Sequence, residues 1–108
     1  MIEAVPARRR TLFIAEAVTL AHVARPLVLA RSLAPARYEV SFACDPRYNS
    51  LLETPRFQQL PLHSVSSEQF LKSLASGSRL YSKATLDAYV RADLELIKSC
   101  QPDVIVGD

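Results

Sequence analysis

Apolar residues in this chain alternate between short continuous runs and stripes at helical spacing. Thr11-Leu-Phe-Ile-Ala15 is short, apolar and non-alternating, the pattern of a parallel strand covered on both faces. Over residues 22–34, Val23, Leu27, Ala30 and Leu33 recur every three or four positions, which predicts a helix. Pro26 then falls in its first turn, where the amide that proline lacks has no intrahelical partner. Tyr38-Glu-Val-Ser-Phe-Ala-Cys44 predicts a second strand, and Asp45-Pro46 opens a short helix with Asp45 as cap. Arg56-Phe-Gln-Gln-Leu60, between Pro55 and Pro61, is a weaker third strand.

In the second half, Ser66-Ser-Glu-Gln69 has the form of a capping box. Phe70, Leu71 and Leu74 follow on one face, and Gly77 stops that helix. A longer helix is expected over residues 82–99, with Leu86, Val90, Leu94 and Ile97 as its apolar stripe. Asp87–Arg91 and Arg91–Glu95 pairs are expected on its wet side. After Pro102, Val104-Ile-Val106 is the last strand. The order β-α-β-α-β-α-α-β predicts an α/β fold: a parallel, doubly wound, Rossmann-like sheet built by right-handed crossovers.

Composition limits the function classes. A chain of 108 residues is one small domain. With 49% hydrophobic and 22% charged residues, it is of ordinary globular make-up. The net charge of +2 gives no argument for nucleic acid. Arg8-Arg-Arg10 sits in what reads as a disordered basic tail over residues 1–10, leaving 11–108 as the domain. Glu16 interrupts the apolar stretch after those arginines and no cleavage site follows, so a secretory signal is not expected. No run approaches the ~18 apolar residues of a membrane span. Cys44 and Cys100 stand alone, which predicts two reduced thiols in a cytoplasmic protein and neither a disulfide nor a zinc site.

The chemistry-bearing candidates are His22, after the first strand, and Asp108, after the last. In the common strand order 3-2-1-4 the fourth strand lies beside the first, and ligands bind beyond the carboxyl ends at that switch point. Both residues are therefore expected to border one crevice. A neutral imidazole there can take a proton from a hydroxyl as its oxygen attacks an electrophile. A carboxylate on the other ring nitrogen fixes the tautomer and stabilises the imidazolium that develops. A histidine at a helix start is also a common cap, and an aspartate after a strand a common turn former. Glu16 either lines the crevice or is solvated. His63 reads as a loop side chain, and Tyr81, Tyr89 and Phe70 as packing residues.

Thr11-Leu-Phe-Ile-Ala15, His22-Val-Ala-Arg-Pro-Leu-Val-Leu-Ala-Arg31 and Pro102-Asp-Val-Ile-Val-Gly-Asp108, in that order, resemble the N-terminal domain of GT-B glycosyltransferases. The likeness is to the inverting UDP-glycosyltransferase group that modifies small acceptors, including the bacterial macrolide-type enzymes, and it runs over residues 11–108. It implies a hexose moved from a nucleotide-sugar to a hydroxyl of a small, apolar acceptor. His22 is then the general base and Asp108 its assistant, with Thr19, Leu20 and Glu16 on the acceptor side. The nucleotide-sugar is a co-substrate, and neither metal nor resident cofactor is implied. Family members often carry glycine just before the histidine and proline three positions after it; here Ala21 and Pro26 depart from that pattern. The resemblance also implies a donor-binding domain beyond residue 108. The chain alone is thus expected to be an incomplete, inactive piece.

Three rivals remain on sequence grounds. A dinucleotide-binding domain needs a Gly-x-Gly-x-x-Gly turn after strand one, and the only glycines are Gly77 and Gly107. A phosphoacceptor receiver-like domain would use Asp108 as acceptor and Glu16 as acidic neighbour. A non-catalytic α/β binding module would use His22 merely as a cap.

Overall fold

The structure, a computed structural model, describes residues 7–52 and 57–107. Its elements are β1 (Arg9–Ile14), α1 (Leu20–Ser32), β2 (Tyr38–Cys44), a 3-10 turn (Pro46–Tyr48), α2 (Asn49–Leu52), β3 (Phe57–Pro61), α3 (Ser67–Ser76), α4 (Lys83–Cys100) and β4 (Val104–Gly107). The strands form one sheet in the order β3-β2-β1-β4, and every pairing is parallel. The fold is thus α/β with the expected strand order. All four carboxyl ends open on one edge.

Register decides which side chains meet. Phe13 lies opposite Phe42 across β1 and β2, and their rings stack at 5.7 Å. Phe57 of β3 continues the stack at 6.3 Å from Phe42. Val23, Leu27 and Ala30 of α1 close over this face. The other face carries the fully buried Leu12 and Ala43. There Ser41, Gln58, Ser99 and Cys100 wall a polar cleft of about 230 Å³.

The local signals act as written. Asp45 caps the 3-10 turn by accepting the Arg47 amide at 3.0 Å. Ser66 caps α3 through the Gln69 amide, and Gly77 ends that helix in the left-handed region at φ 66°. Ser82 caps α4.

Four expectations need correction. β1 takes in Arg9 and Arg10, so the basic run is not a tail at those positions. Arg10 exchanges backbone and carboxylate hydrogen bonds with Asp103 at 2.7 and 2.8 Å, which locks β1 to the turn before β4. Helix α1 begins at Leu20, two residues early, because Thr19 is its N-cap. Pro26 therefore sits in the helix interior and removes the amide that would bond the His22 carbonyl. Leu86, Val90 and Leu94 of α4 are half exposed or more, so the stripe is not core. Asp87 pairs back to Lys83 at 2.9 Å rather than forward to Arg91. β4 lies at the sheet edge, as the order 3-2-1-4 implies, with Val104 and Ile105 exposed.

Neither α3 nor α4 has a buried residue. Among the described residues, no helix is long and apolar enough to cross a membrane.

The aromatic stack generates a prediction. Phe42→Ala leaves a cavity beneath α1 and is expected to cost about 3–5 kcal/mol, read as a lowered midpoint of denaturant unfolding. Leu94→Ala, at an exposed site, is expected to shift it by less than about 0.5 kcal/mol.

Candidate functional site

The carboxyl edge is assembled from the loops after β1, β2 and β3 together with one face of α4. After β1 the chain runs Ala15-Glu16-Ala17-Val18-Thr19 into α1. Thr19 makes no capping bond with its side chain. Its Oγ1 instead lies 2.6 Å from Nδ1 of His22, three residues on at the end of the first helical turn. That bond engages the ring's Nδ1 and leaves Nε2 as the other ring nitrogen. His22 and Thr19 are each partly buried, whereas Leu20 between them is exposed.

Arg47, on the turn after β2, holds this edge together. Its Nη1 donates to the carbonyls of Ala17 at 2.9 Å and Val65 at 3.0 Å. Its Nη2 donates to the Ser64 carbonyl at 2.8 Å and to Asp45 Oδ2 at 3.1 Å. Ser64, itself buried, accepts the Ala17 amide on its Oγ at 2.9 Å and donates its own amide to Asp45 at 3.2 Å. A planar five-donor fork suits this convergence of oxygens, and an ammonium would not. Burial works against the Asp45 charge, but hydrogen bonds from the Arg47 side chain and from the Arg47 and Ser64 amides outweigh it, holding the carboxyl down to about 2.

A second system gathers on Glu16. Tyr81 and Tyr89 donate their hydroxyls to its two carboxylate oxygens at 3.2 and 3.3 Å, and the two rings pack edge to face at 5.6 Å. The Tyr89 oxygen also accepts the Val65 amide at 2.7 Å, tying α4 to the loop after β3. Burial, followed by the Glu16 charge, raises the Tyr81 hydroxyl; the Tyr89 hydroxyl rises to about 12, mainly by burial and against the Val65 bond. Asp93, one turn beyond Tyr89, is raised by burial and by the same glutamate.

Glu16, Tyr89 and Asp93 line a cavity of about 190 Å³ at the ends of β1 and β4. Ile14, Ala15 and Leu62 supply apolar wall, Glu16, Asp93 and Tyr89 supply polar groups, and Gly107 borders it from β4. His63 reaches its rim, with Nδ1 3.9 Å from Asp45. Glu16 therefore lines the crevice rather than facing bulk solvent. Thr19 and His22 are brought together, but Thr19, Leu20 and His22 are not among the walls of this cavity. Asp108, the expected partner of His22, lies outside the described residues.

Three participants were missed in the sequence: Arg47, Ser64 and Asp93. Only Asp93 left a trace there, four residues after Tyr89 and so on the same helix face. The reach of Arg47 across two other loops has no local signature. Cys44, buried beside this edge, has its thiol raised to about 11, first by burial and then by the Asp45 charge. It is therefore no nucleophile at neutral pH. Among the described residues, no group of three or more His, Cys, Asp or Glu side chains is placed to hold a metal ion.

Comparison with known proteins gives a consistent set of relatives. The chain is 53% identical over 106 residues, 98% of its length, to a protein of Mycobacterium bovis named inactive PGL/p-HBAD biosynthesis glycosyltransferase. It has the same identity to a PGL/p-HBAD biosynthesis glycosyltransferase of Mycobacterium tuberculosis. It is 55% identical over 101 residues, 94% of the chain, to a PGL/p-HBAD biosynthesis rhamnosyltransferase of Mycobacterium bovis. The chain spans 29%, 25% and 22% of the length of these three relatives respectively. No family model and no solved structure matches the chain.

The two carboxyls make opposite contributions to acid stability. Asp45, lowered in the fold from 3.8 to about 2, stabilises above the unfolded value, and that stability is lost as pH falls from 3.8 towards 2. Asp93, raised in the fold, keeps its proton longer when folded, so its contribution is lost as pH climbs through its folded value. Asp45→Asn is therefore expected to lower stability at pH 7 and flatten the acid limb. Asp93→Asn is expected to raise stability at pH 7. Urea unfolding from pH 2 to 7 reads both.

Proposed function

We propose that this chain forms the acceptor-side, N-terminal part of a GT-B-type inverting glycosyltransferase, with His22 as general base. The observation that carries the reading is the Thr19 Oγ1–His22 Nδ1 bond at 2.6 Å. With the proton on Nδ1 and donated to Thr19, Nε2 carries the lone pair that a base needs. Thr19 thus takes the orienting position that a carboxylate fills in related triads. The proton of an acceptor hydroxyl passes to Nε2 as its oxygen bonds the anomeric carbon of a nucleotide-sugar. The bond from that carbon to the phosphate oxygen breaks, and the nucleoside diphosphate leaves with the electron pair. The imidazolium so formed is assigned to the Asp108 carboxylate for stabilisation. In this reading the acceptor is small and largely apolar, and the cavity bounded by Ile14, Leu62 and Glu16 serves its approach.

Two lines support the class. The relatives at 53–55% identity carry glycosyltransferase and rhamnosyltransferase names. The sheet order β3-β2-β1-β4 also places the switch point between β1 and β4, where a ligand crevice forms. The same order counts against the receiver-like alternative. A flavodoxin-type sheet runs 2-1-3-4-5 with nothing outboard of its second strand, whereas β3 here flanks β2.

In the full-length polypeptide, His22→Ala is expected to lower sugar transfer by roughly 10²–10⁴-fold with the unfolding midpoint little changed. Thr19→Val is expected to fall in the same direction by less, since the base remains and loses only its orientation. An alanine variant at residue 22 that transfers sugar at the wild-type rate would refute the assignment.

A further inference from the structure

The geometry points to Arg47 as a positioning residue for His22, acting through the Ala17 peptide groups and Thr19, and this deepens the general-base reading on which it rests. Arg47 does not touch His22. It holds the carbonyl of Ala17 at 2.9 Å, while Ser64 Oγ holds the Ala17 amide at 2.9 Å. Residue 17 is therefore pinned by both its donor and its acceptor. Three residues on, α1 begins, and it is pinned in its turn by the buried Val23, Leu27 and Ala30. Between the two anchors lie Val18, itself buried, and Thr19. A link of two residues, one of them buried, has few ways to rearrange while both its ends are held.

Thr19 sits in that link at φ −138° and ψ 161°, with its hydroxyl on His22 rather than on the helix amides. The direction of that hydroxyl follows from the peptide planes before it, and the clamp sets those planes. Ser64 and Val65 give Arg47 a counter-anchor, since their carbonyls lie 2.8 and 3.0 Å from the same guanidinium. The loop after β3, which also walls the cavity, is thereby tied to the loop that leads into the helix bearing the base. An Arg47 substitution should consequently change which nitrogen of His22 bears the proton, without any group at residue 47 reaching the ring.

The test reads that nitrogen directly, on the ¹⁵N-labelled chain, by long-range proton–nitrogen correlation of the imidazoles in their neutral form. Two histidines are present, and His63→Gln assigns them. In the wild type, His22 is expected to show a protonated Nδ1 and an unprotonated Nε2 as two well-separated shifts. In Arg47→Gln that separation is expected to be lost, the shifts moving together as the tautomers mix. If Arg47→Gln does not fold, Arg47→Lys is read in its place and is expected to lose the separation as well, because an ammonium cannot span four oxygens at once. Phe57→Ala, a buried change on the far strand, is the control for general loosening and is expected to keep the wild-type pair. An unchanged His22 pair in a folded Arg47 variant overturns the inference, and so does equal loss in the Phe57 control. The readout needs no sugar transfer. Loss of the His22 pair together with wild-type transfer by His22→Ala would retain the positioning role and reject the base.

Discussion

The parallel seating of β1 between β2 and β4 is the constraint from which the rest of this structure follows. Six consecutive residue pairs, from Arg9↔Tyr38 to Ile14↔Ala43, set its register against β2. That register puts Phe13 against Phe42 on the α1 face and Leu12 beside Ser41 on the other. Sliding β1 by one residue would exchange the faces and drive Thr11 and Leu12 into each other's surroundings. Because every crossover returns the chain in the same direction, the loops after β1, β2 and β3 and the end of β4 must share one edge. The chemistry-bearing groups are close together for that reason, although they come from positions 16 to 107.

At that edge two polar systems act side by side. In one, the Arg47 cation satisfies three loop carbonyls and one carboxylate, leaving Asp45 firmly ionised. In the other, the Glu16 carboxylate is held by two tyrosine hydroxyls, and burial, followed by the Glu16 charge, pushes neighbouring Asp93 towards its protonated form. The cation organises the backbone that leads into α1, and the anion fastens α4 over the cavity. His22 belongs to the first system and the cavity to the second. Ser64 and Val65 connect them, because Arg47 holds both carbonyls and Tyr89 accepts the Val65 amide.

Most of the fold was legible because its signals are local. Asp45, Ser66 and Gly77 acted as cap, cap and stop at the positions their chemistry implies, and β2 occupies the residues its apolar run marks. The errors arose where a distant partner overrode a local pattern. Arg9 and Arg10 read as tail, yet Asp103 and Glu39 receive Arg10 and carry it into the sheet. The α4 stripe looked like core because helical spacing records a face without recording what covers it. Pro26 looked like a first-turn residue because Thr19 was not recognised as the cap two positions earlier. Tyr81 and Tyr89 were read as packing; they do pack against each other, and their hydroxyls also carry the Glu16 bonds.

The sequence by itself determined the alternation of strands and helices, the parallel direction of the strands through the handedness of crossovers, and the placing of His22 at the mouth of α1. Each of these depends on neighbours within a few residues or on a general rule of chain chirality. Only the tertiary structure decided that Thr19 orients the imidazole, that Arg47 spans three loops and that Glu16 collects two tyrosines. Those contacts join residues 17 to 73 positions apart, except for the Thr19–His22 bond over three. Even that short bond depends on how the preceding loop is held. Hydrogen-bond direction is fixed by the packed backbone, and no periodicity in a sequence encodes it.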